Sequence, residues 1–236
     1  MAMRSARIET VTTVPLREGP TLFGLLVISF RRARTVDETD LELLEALALQ
    51  AAHVFTRIRL QQQLEHLALY DQLTGLASRR LTHTLIAEAV TSSGTCEQSL
   101  ALIFVDLDGF KAINDELGHT VGDEVLREIG SRLSSVVRQG DSVGRLGGDE
   151  FIIICTDVGP AAVDRIVERL HASIRAPLSK PAEGVRMTCS VGVAICSGGA
   201  GPSPEVMIER ADAAMYESKR AGKDRTTIVE VGSGVD

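Results

Sequence analysis

Two adjacent carboxylates stand in a short turn of the sequence that does not itself require them. The stretch RLGGDEF covers residues 145–151, and in it Gly147 and Gly148 precede Asp149 and Glu150. Paired glycines between short apolar runs are typical of a tight β-hairpin, because glycine accepts the positive φ of such turns. A solvated turn is the plain interpretation of this loop taken alone. A functional role for Asp149 and Glu150 requires other metal- or substrate-binding residues near them.

A further acid stands at the end of a strongly apolar run. LALIFVDL (100–107) is rich in branched residues, as expected of a fully buried strand, and Asp106 lies at its carboxyl end. If this strand neighbours the hairpin, Asp106 and Asp149 approach within the distance that one metal ion bridges. Two carboxylates that close repel each other unless a cation lies between them. Oxygen ligands of this kind favour Mg²⁺ or Mn²⁺, so the sequence predicts a divalent metal site.

The same acids do not form a calcium-binding EF-hand loop. Counted from Asp106, that motif needs an acid or Asn at the fifth position, glycine at the sixth and Glu at the twelfth. Phe110, Lys111 and Leu117 stand at those positions. The EF-hand interpretation is therefore rejected.

The stretch GFKAINDELGHTVGD (109–123) carries side chains suited to a nucleotide. It contains Lys111, Asn114 and Asp123. A carboxylate can accept hydrogen bonds from N1–H and the exocyclic amine of guanine, and adenine lacks those donors. Helix capping and turn formation are the structural alternatives for Asn114 and Asp123, and the residues alone do not decide between them.

Two lysines near the carboxyl end of the chain can neutralise a polyphosphate. Lys219 and Lys223 lie in YESKRAGKDR (216–225). No Walker loop is present, because the Gly-Lys pair in this stretch is followed by Asp224 instead of Ser or Thr. Phosphate binding would therefore depend on metal, lysines and backbone amides.

The elements that must position these residues are helices and strands in alternation. The sequence predicts a helix near 79–92, a strand at 100–107, helices near 110–117 and 120–138, the hairpin, a helix at 161–174, a strand at 185–196, a helix at 204–222 and a strand at 226–231. The polar stretch TSSGTCEQ (91–98) is interpreted as a break between the first two of these. The order predicts an α+β, ferredoxin-like domain with a central, mainly antiparallel sheet and helices over one face.

The amino-terminal third of the chain has a different pattern. Strands are predicted at 8–16 and 21–30, followed by a helix from about 40 to 69, since neither glycine nor proline interrupts residues 36–74. The apolar stripe of this helix shifts phase near Ile58. A core helix is one interpretation, but the length and the polar face favour a linker or coiled-coil helix over 38–69. Two strands and a helix are too little for a domain, so we interpret 1–37 as the last part of one.

Composition limits the classes of function. The chain has 236 residues, 44% of them hydrophobic, and a net charge of −7, which argues against nucleic acid and anionic membranes as partners. The apolar stretch 22–30 is too short to span a bilayer, and the start of the chain lacks the apolar core of a signal peptide. The four cysteines lack zinc-site spacing and suit buried free thiols. We expect a soluble, cytoplasmic protein without a membrane span.

Five motifs together resemble a GGDEF domain, the catalytic unit of diguanylate cyclases. In chain order they are DQLTGLASRR (71–80), VDLDGFKAINDELGHTVGDEVL (105–126), RLGGDEF (145–151), CSVGVAI (189–195) and ADAAMYESKRAGKDR (211–225). The resemblance covers roughly residues 68 to 232 and implies a nucleotidyl-cyclase-like catalytic domain over 70–236. In that family two GTP molecules, one per domain, condense to cyclic di-GMP and two pyrophosphates.

The resemblance implies roles for residues in three groups. The metal ligands it implies are Asp106, the Leu107 carbonyl and Asp149, with Glu150 assisting. The GTP contacts it implies are Asn114 and Asp123 for guanine and Lys111, Lys219 and Lys223 for phosphate, with Phe110 in the same group. Gly147 and Gly148 let the backbone approach the nucleotide, and with Asp149 and Glu150 they form the catalytic set.

A fourth group resembles the site at which many of these enzymes bind their own product. Arg138 and Asp141 have the RxxD spacing and stand five residues before the GGDEF motif. Arg165 and Arg169, one helical turn apart, lie where partner arginines are expected, and guanidinium groups suit the Hoogsteen edge of guanine and phosphate. An exposed turn with surface arginines is the alternative.

Two parts of the chain fit the family pattern less closely. The first motif usually carries Asn where this sequence has Ser78, and we expect that position to be structural. Residues 1–58 resemble the last strands and final helix of a GAF sensory domain, on the basis of PLREGPTLFGLLVISF (15–30) and the following helix.

The predicted function is that of a Mg²⁺-dependent diguanylate cyclase, a nucleotidyltransferase that works as a homodimer through its linker helix and is inhibited by its product. A catalytically silent GGDEF module that senses GTP or cyclic di-GMP is the alternative. The presence of every signature acid favours the enzyme. A related nucleotidyl cyclase with another product is a third, weaker option.

Overall fold

The computed structural model describes residues 8–96, 99–197 and 202–232, and the chain forms two units, the first ending at His66 and the second beginning at Leu67. The amino-terminal elements are β1 (Thr10–Glu18), β2 (Thr21–Phe30) and α1 (Glu38–Leu69). They are followed by α2 (Arg79–Cys96), β3 (Leu100–Asp108), α3 (Phe110–Leu117), α4 (His119–Val136), β4 (Ser142–Gly147), β5 (Glu150–Thr156), α5 (Pro160–Arg175), β6 (Thr188–Cys196), α6 (Pro204–Arg220) and β7 (Arg225–Glu230).

The first unit is a hairpin that packs against a long helix. β1 and β2 pair antiparallel, and Val14 packs with Leu44 and Ala48 of α1. The opposite sheet face leaves Leu22 and Leu25 exposed. The predicted strands and the predicted long helix are confirmed, and α1 stays helical through the change of phase near Ile58. The apolar residues from that point to the end of α1 are exposed, namely Ile58, Leu60, Leu64 and Leu67.

The second unit contains a five-stranded sheet in the order β4-β5-β3-β6-β7. β3 pairs antiparallel with β5 and with β6, β4 pairs antiparallel with β5, and β6 and β7 are parallel. This mixed, mainly antiparallel sheet flanked by helices confirms the predicted α+β class. It places the carboxyl end of β3 beside the β4–β5 hairpin.

Helices cover both faces of this sheet, so the expectation of helices over one face is wrong. Alternate residues of β3 from Ala101 to Leu107 join a cluster with α4 and α5, whereas Leu100, Leu102 and Phe104 join one with α2 and α6. The physical reason lies in β3, whose apolar residues do not alternate with polar ones. A strand of that composition must be buried on both sides.

Some element boundaries also differ from the prediction. α2 continues to Cys96, past the predicted end near residue 92, and the Thr91 hydroxyl is accommodated within it by donating to the Ala87 carbonyl at 2.8 Å. α6 ends at Arg220, two residues early, since Gly222 has a φ of 113°. The described thiols of Cys155, Cys189 and Cys196 are buried and unpaired.

Across the described residues, no helix is both long enough and apolar enough to cross a bilayer.

Candidate active site

The acids of the hairpin and of β3 meet at one edge of the sheet. Asp106 lies directly opposite Glu150 in the β3–β5 ladder, and the Leu107 amide donates to the Asp149 carbonyl at 3.3 Å. Asp106 is only 6% exposed, whereas Asp149 and Glu150 are partly exposed. The two segments are therefore neighbours, as the prediction of a shared site requires.

The turn that carries the acids depends on its two glycines. Gly147 has a φ of 144° and Gly148 a φ of 54°, conformations that residues with a side chain rarely adopt. The β4–β5 register shifts between Arg145 and Gly147. Any side chain at these glycines would strain the turn that presents Asp149 and Glu150.

Two arginines, Arg145 of β4 and Arg79 of α2, donate hydrogen bonds to carbonyls of this turn. Arg145 donates to the Gly148 carbonyl from Nε at 3.0 Å and from Nη2 at 2.8 Å. Arg79 at the start of α2 donates to the Leu146 carbonyl at 3.1 Å. Carbonyls on both sides of Gly147 are thus held by charged donors, which fixes the turn before any ligand arrives.

Asp71 pairs with Arg145, and neither residue was among the predicted site residues. Arg145 Nη1 lies 3.0 Å from Asp71 Oδ1, which also accepts from the Thr74 amide at 2.9 Å and hydroxyl at 2.7 Å. Burial acts to raise the pKa of Asp71, but the bonds from Thr74 and Arg145 outweigh it and hold that pKa below its ordinary 3.8. Each residue lies in a signature motif, which was the available signal, but their pairing across 74 positions is visible only in the fold.

Lys219 of α6 contacts the buried acid of the site. Its Nζ lies 2.6 Å from Asp106 Oδ2, with side chains 31% and 9% exposed. Burial raises the pKa of Asp106, the bond from Lys219 opposes this, and the charges of Asp149 and Glu150 raise it further. Burial lowers the pKa of Lys219, but the bond to Asp106 and the neighbouring acids reverse this and raise it.

Asp108 has a different environment from Asp106, although only Leu107 separates them. It accepts hydrogen bonds from the Thr188 hydroxyl at 2.8 Å, the Ser190 hydroxyl at 2.7 Å and the Asp224 amide at 3.0 Å. Its carboxylate therefore ties β3 to β6 and to the loop before β7. That loop contains Lys223, whose side chain is exposed and whose φ is 63°.

The residues at this edge fit a divalent metal only in part. Within the described residues, no group of three or more His, Cys, Asp or Glu side chains is arranged to hold a metal ion. Mg²⁺ is often bound by one or two carboxylates, with water and substrate phosphates completing its octahedron. Asp106 and Asp149 suit that type of site, in which a nucleotide supplies the remaining oxygens.

The predicted guanine contacts lie where α3 and α4 approach closely. A Cβ at Gly122 would stand 1.9 Å from Asn114 Oδ1, so only glycine leaves room for that amide. Asp123 follows Gly122 and is exposed, while Asn114 is partly buried. The amide and the carboxylate are thus available on adjoining turns.

The other two predicted GTP residues of α3 differ in access. Lys111 is exposed in the first turn of the helix, where both its charge and the helix dipole favour an anion. Phe110 is 6% exposed, and its ring belongs to the core cluster beside α4 and α5. The Phe110 ring is therefore engaged in packing, whatever its main chain contacts.

The RxxD residues form a turn with one buried, unsatisfied atom. Arg138 Nε lies 3.5 Å from Asp141 Oδ1, and Arg138 Nη2 donates to the carbonyls of Thr156 at 2.5 Å and Asp157 at 3.1 Å. The Asp141 side chain is 1% exposed, and its Oδ1 is buried without a hydrogen-bond partner. A buried acceptor of this kind is costly unless a ligand or water donates to it.

The two partner arginines stand on α5 near this turn. Arg169 donates from Nη2 to the carbonyl of Val136, two residues before Arg138. Arg165 is exposed one helical turn earlier. The fold thus brings Arg169 to the segment that leads into the RxxD turn, and Arg165 lies on the same helix.

Ser78 has a structural environment. Its Oγ donates to the Ala68 carbonyl at 2.9 Å and accepts from the Leu81 amide at 3.4 Å, and its own amide donates to the Leu69 carbonyl at 2.8 Å. Ser78 therefore caps α2 and ties its start to the last turn of α1.

Comparisons with known proteins agree with this geometry. The sequence matches the family model described as "Diguanylate cyclase, GGDEF domain" over residues 68–225. Diguanylate cyclase A of Treponema denticola is 31% identical over 221 residues, which cover 91% of this chain and 58% of that protein. The bifunctional diguanylate cyclase/cyclic di-GMP phosphodiesterase MucR of Pseudomonas aeruginosa is 38% identical over 166 residues, which cover 70% of this chain and 24% of that protein. The chain thus spans little more than half of one relative and about a quarter of the other.

A solved structure has a similar fold. It is the crystal structure of the coiled coil and GGDEF domain of DgcB from Caulobacter crescentus in complex with c-di-GMP. The TM-score is 0.73 at 29% identity, and the match covers 79% of this chain and 99% of that one.

Proposed function

This chain belongs to the GGDEF family of diguanylate cyclases, and we propose that it condenses two GTP molecules into cyclic di-GMP and two pyrophosphates. The observation that carries the proposal is the meeting of Asp106, Asp149 and Glu150 at one sheet edge, with Lys219 beside them. Every acid of the signature is retained, and the turn that carries two of them is braced by charged donors. Such a site suits a reaction in which negative charge on phosphate must be neutralised and held in place.

The proposed reaction is two phosphoryl-transfer steps of one kind. The 3′-hydroxyl of one GTP attacks the α-phosphorus of the other: a P–O bond forms, the bond to pyrophosphate breaks and the hydroxyl proton is released to water. The 3′-hydroxyl of the second nucleotide then attacks the α-phosphorus of the first in the same way and closes the ring. Mg²⁺ or Mn²⁺, held by Asp106, the Leu107 carbonyl and Asp149 with Glu150 assisting, would polarise the α-phosphate. In this proposal Gly147 and Gly148 keep the backbone close to the nucleotide.

The chain's own side chains orient the nucleotide in this proposal. Asn114 and Asp123 contact the guanine edge, and Lys111, Lys219 and Lys223 neutralise the phosphates. Phe110 contributes through its main chain, since its ring is in the core. The close approach of α3 and α4 at Gly122 supports the guanine assignment, because it holds the Asn114 amide beside the turn that carries Asp123.

Two copies of the domain are required, because each holds one GTP and the attacking hydroxyl belongs to the other. We assign dimer formation to α1, and the exposed apolar residues of its second half support this. We assign product inhibition to Arg138 and Asp141 with Arg165 and Arg169. The structure of the turn supports this, because the exposed Arg138 guanidinium stands beside the Asp141 carboxylate, with 3.5 Å between Arg138 Nε and Asp141 Oδ1.

The proposed organisation follows from these roles. We place the catalytic domain in residues 70–236, the linker helix in 38–69 and a GAF-like segment in 1–37. The β1–β2 hairpin that packs on the start of α1 supports the GAF-like assignment.

One experiment tests the reaction itself. The protein is incubated with GTP and Mg²⁺, and the product is identified by chromatography against authentic cyclic di-GMP. Formation of cyclic di-GMP and pyrophosphate is the expected result. Binding of GTP without turnover would instead identify a silent sensory module, and a different cyclic product would identify a related nucleotidyl cyclase.

A further inference from the structure

The positively charged side chain of Lys219 lies within the proposed metal site. The Nζ of Lys219 lies 2.6 Å from Asp106 Oδ2, the distance of a charge-assisted hydrogen bond. The Asp106 side chain is 9% exposed, and the charges of Asp149 and Glu150 act on both partners of the pair. Lys219 thus neutralises part of the negative charge that three neighbouring acids bring together.

A divalent metal and this ammonium group compete for the same oxygen. Mg²⁺ binds its ligands at about 2.0–2.1 Å, so a metal on Asp106 Oδ2 would lie only about 4 Å from an ammonium bonded to the same oxygen. The repulsion between the two cations would therefore drive Lys219 away from Asp106. The displaced ammonium then lies beside a cation, and it loses an anionic partner in a half-buried position, which is costly.

We infer that Lys219 is the resident counter-ion of the metal site, and that the metal consequently enters together with the nucleotide instead of before it. This inference rests on the proposed function, because the nucleotide supplies what the exchange needs. A metal ion that binds Asp106 without a nucleotide separates Lys219 from its carboxylate partner and supplies no other anion to the lysine. The metal–nucleotide complex gives Asp106 its metal and gives Lys219 the phosphate oxygens, so each charge keeps a partner throughout.

The arrangement of the other ligands agrees with this order. In the described part of the chain no three acidic, His or Cys side chains are grouped to hold a metal, so phosphate oxygens are needed to complete a coordination shell. Lys219 stands in the last turn of α6, and the loop that follows this helix is held by the hydrogen bond from the Asp224 amide to Asp108. Its long, flexible stem allows the ammonium to move while the helix stays in place.

The test compares two lysines that lie four positions apart. Lys219→Met removes the counter-ion, and Lys223→Met removes an equal charge from an exposed side chain in the adjoining loop. Binding of Mn²⁺ without nucleotide is measured by electron paramagnetic resonance. We expect Lys219→Met to bind Mn²⁺ about tenfold more tightly than the parent, and Lys223→Met to stay within about twofold. Lys219→Arg keeps the cation and should leave Mn²⁺ binding as weak as in the parent.

The same titration with a non-hydrolysable GTP analogue tests the order of entry. The analogue should strengthen Mn²⁺ binding most in the parent, less in Lys223→Met, which loses only a proposed phosphate contact, and least in Lys219→Met, which also lacks the cation that has to be displaced. Equal gains in Lys223→Met and Lys219→Met would overturn the order of entry. Equal Mn²⁺ affinity of Lys219→Met and the parent without nucleotide would overturn the counter-ion role.

A stability measurement covers the case in which the single variant folds poorly. In a chelating buffer, Lys219→Met should lower the thermal midpoint, and the double variant Asp106→Asn with Lys219→Met should recover most of the loss. An unchanged midpoint in Lys219→Met would contradict the inference. A parent protein that makes no cyclic di-GMP but shows all of these Mn²⁺ and stability differences would overturn the proposed function and leave the counter-ion role standing.

Discussion

Asp106 and Asp108 have the same side chain and point to the same side of β3, yet their partners give them different roles. Asp106 lies on the face covered by α6, so Lys219 can reach it, and the hairpin acids stand opposite. Asp108, at the strand end, accepts from Thr188 and from two further donors, which occupy three of the roughly four acceptor positions of its carboxylate. The role of each acid is therefore set by what the neighbouring elements donate to it.

The first prediction concerns Asp149, a partly exposed acid among the proposed metal ligands. Asp149→Ala should lower turnover by at least about a hundredfold, because the metal loses a ligand at the reacting phosphate. In metal-free buffer the same change should raise the thermal midpoint, since one of the charges repelling Asp106 is gone. Steady-state rates and thermal unfolding check both parts. Asp115→Ala, an exposed acid on α3, is the matched control, and near-normal turnover in Asp149→Ala would refute the assignment.

A second prediction concerns the pair that braces the turn. Asp71→Asn should cost about 1–2 kcal/mol of stability near neutral pH, because the half-buried Arg145 guanidinium loses its charged partner. The pKa of Asp71 is below its ordinary 3.8, so its contribution is present above that value and is lost as the pH falls through the lower, folded pKa. The stability gap between parent and variant should therefore shrink in acid. Denaturant unfolding at several pH values measures it, and a gap independent of pH would contradict the prediction.

Product inhibition is tested at Arg138. Arg138→Ala should raise the concentration of cyclic di-GMP needed for half-inhibition by at least about tenfold, because the ligand loses a guanidinium contact. Added product is titrated into initial-rate assays of the parent and the variant. Arg127→Ala, which removes an exposed arginine of α4, serves as the control. Equal inhibition of Arg138→Ala and the parent would show that the site lies elsewhere.

The sequence was sufficient for most elements and for the acids, but not for their partners. Strands and helices followed from runs of apolar residues, and Asp106, Asp149 and Glu150 followed from their positions at the ends of those runs. The Lys219–Asp106 pair joins residues 113 positions apart, and no local pattern reports such a contact. The expectation of helices over only one face of the sheet was wrong because the apolar residues of β3 do not alternate with polar ones. Such a strand must be buried on both sides, which requires helices over both faces.

The close packing of α3 against α4 positions the Asn114 amide. Gly122→Ala places a Cβ 1.9 Å from Asn114 Oδ1, and the amide, as the end of a flexible side chain, should move away without unfolding the domain. We expect GTP affinity to fall about tenfold, the scale of losing one well-placed hydrogen bond to the base. Calorimetric titration with a GTP analogue measures this. Gly159→Ala, where nothing lies within 4 Å of the added Cβ, should bind normally.

At the scale of the whole molecule, activity should depend on how two chains meet. Only Leu44, Ala48 and Ala52 of α1 are buried, whereas Ile58, Leu60, Leu64 and Leu67 near its end are exposed. Leu60, Leu64 and Leu67 follow one another at steps of four and three residues, the spacing that suits contact with a second copy of the helix. The unit boundary at His66 and Leu67 leaves the contacts of Ser78 with Ala68 and Leu69 inside the second unit.

The last prediction follows from this division. Removing residues 1–66 should leave a domain that folds and binds GTP, because its core and the Ser78 contacts are retained. Its rate per subunit should fall steeply on dilution, whereas that of the full chain should hold, since two domains joined only by weak contacts dissociate first. Replacing Leu60 and Leu64 by Gln in the full chain should reproduce the loss without a truncation. Rates are measured over about a hundredfold range of protein concentration, alongside molar mass by light scattering. If the shortened domain matches the full chain throughout that range, α1 does not organise the active pair.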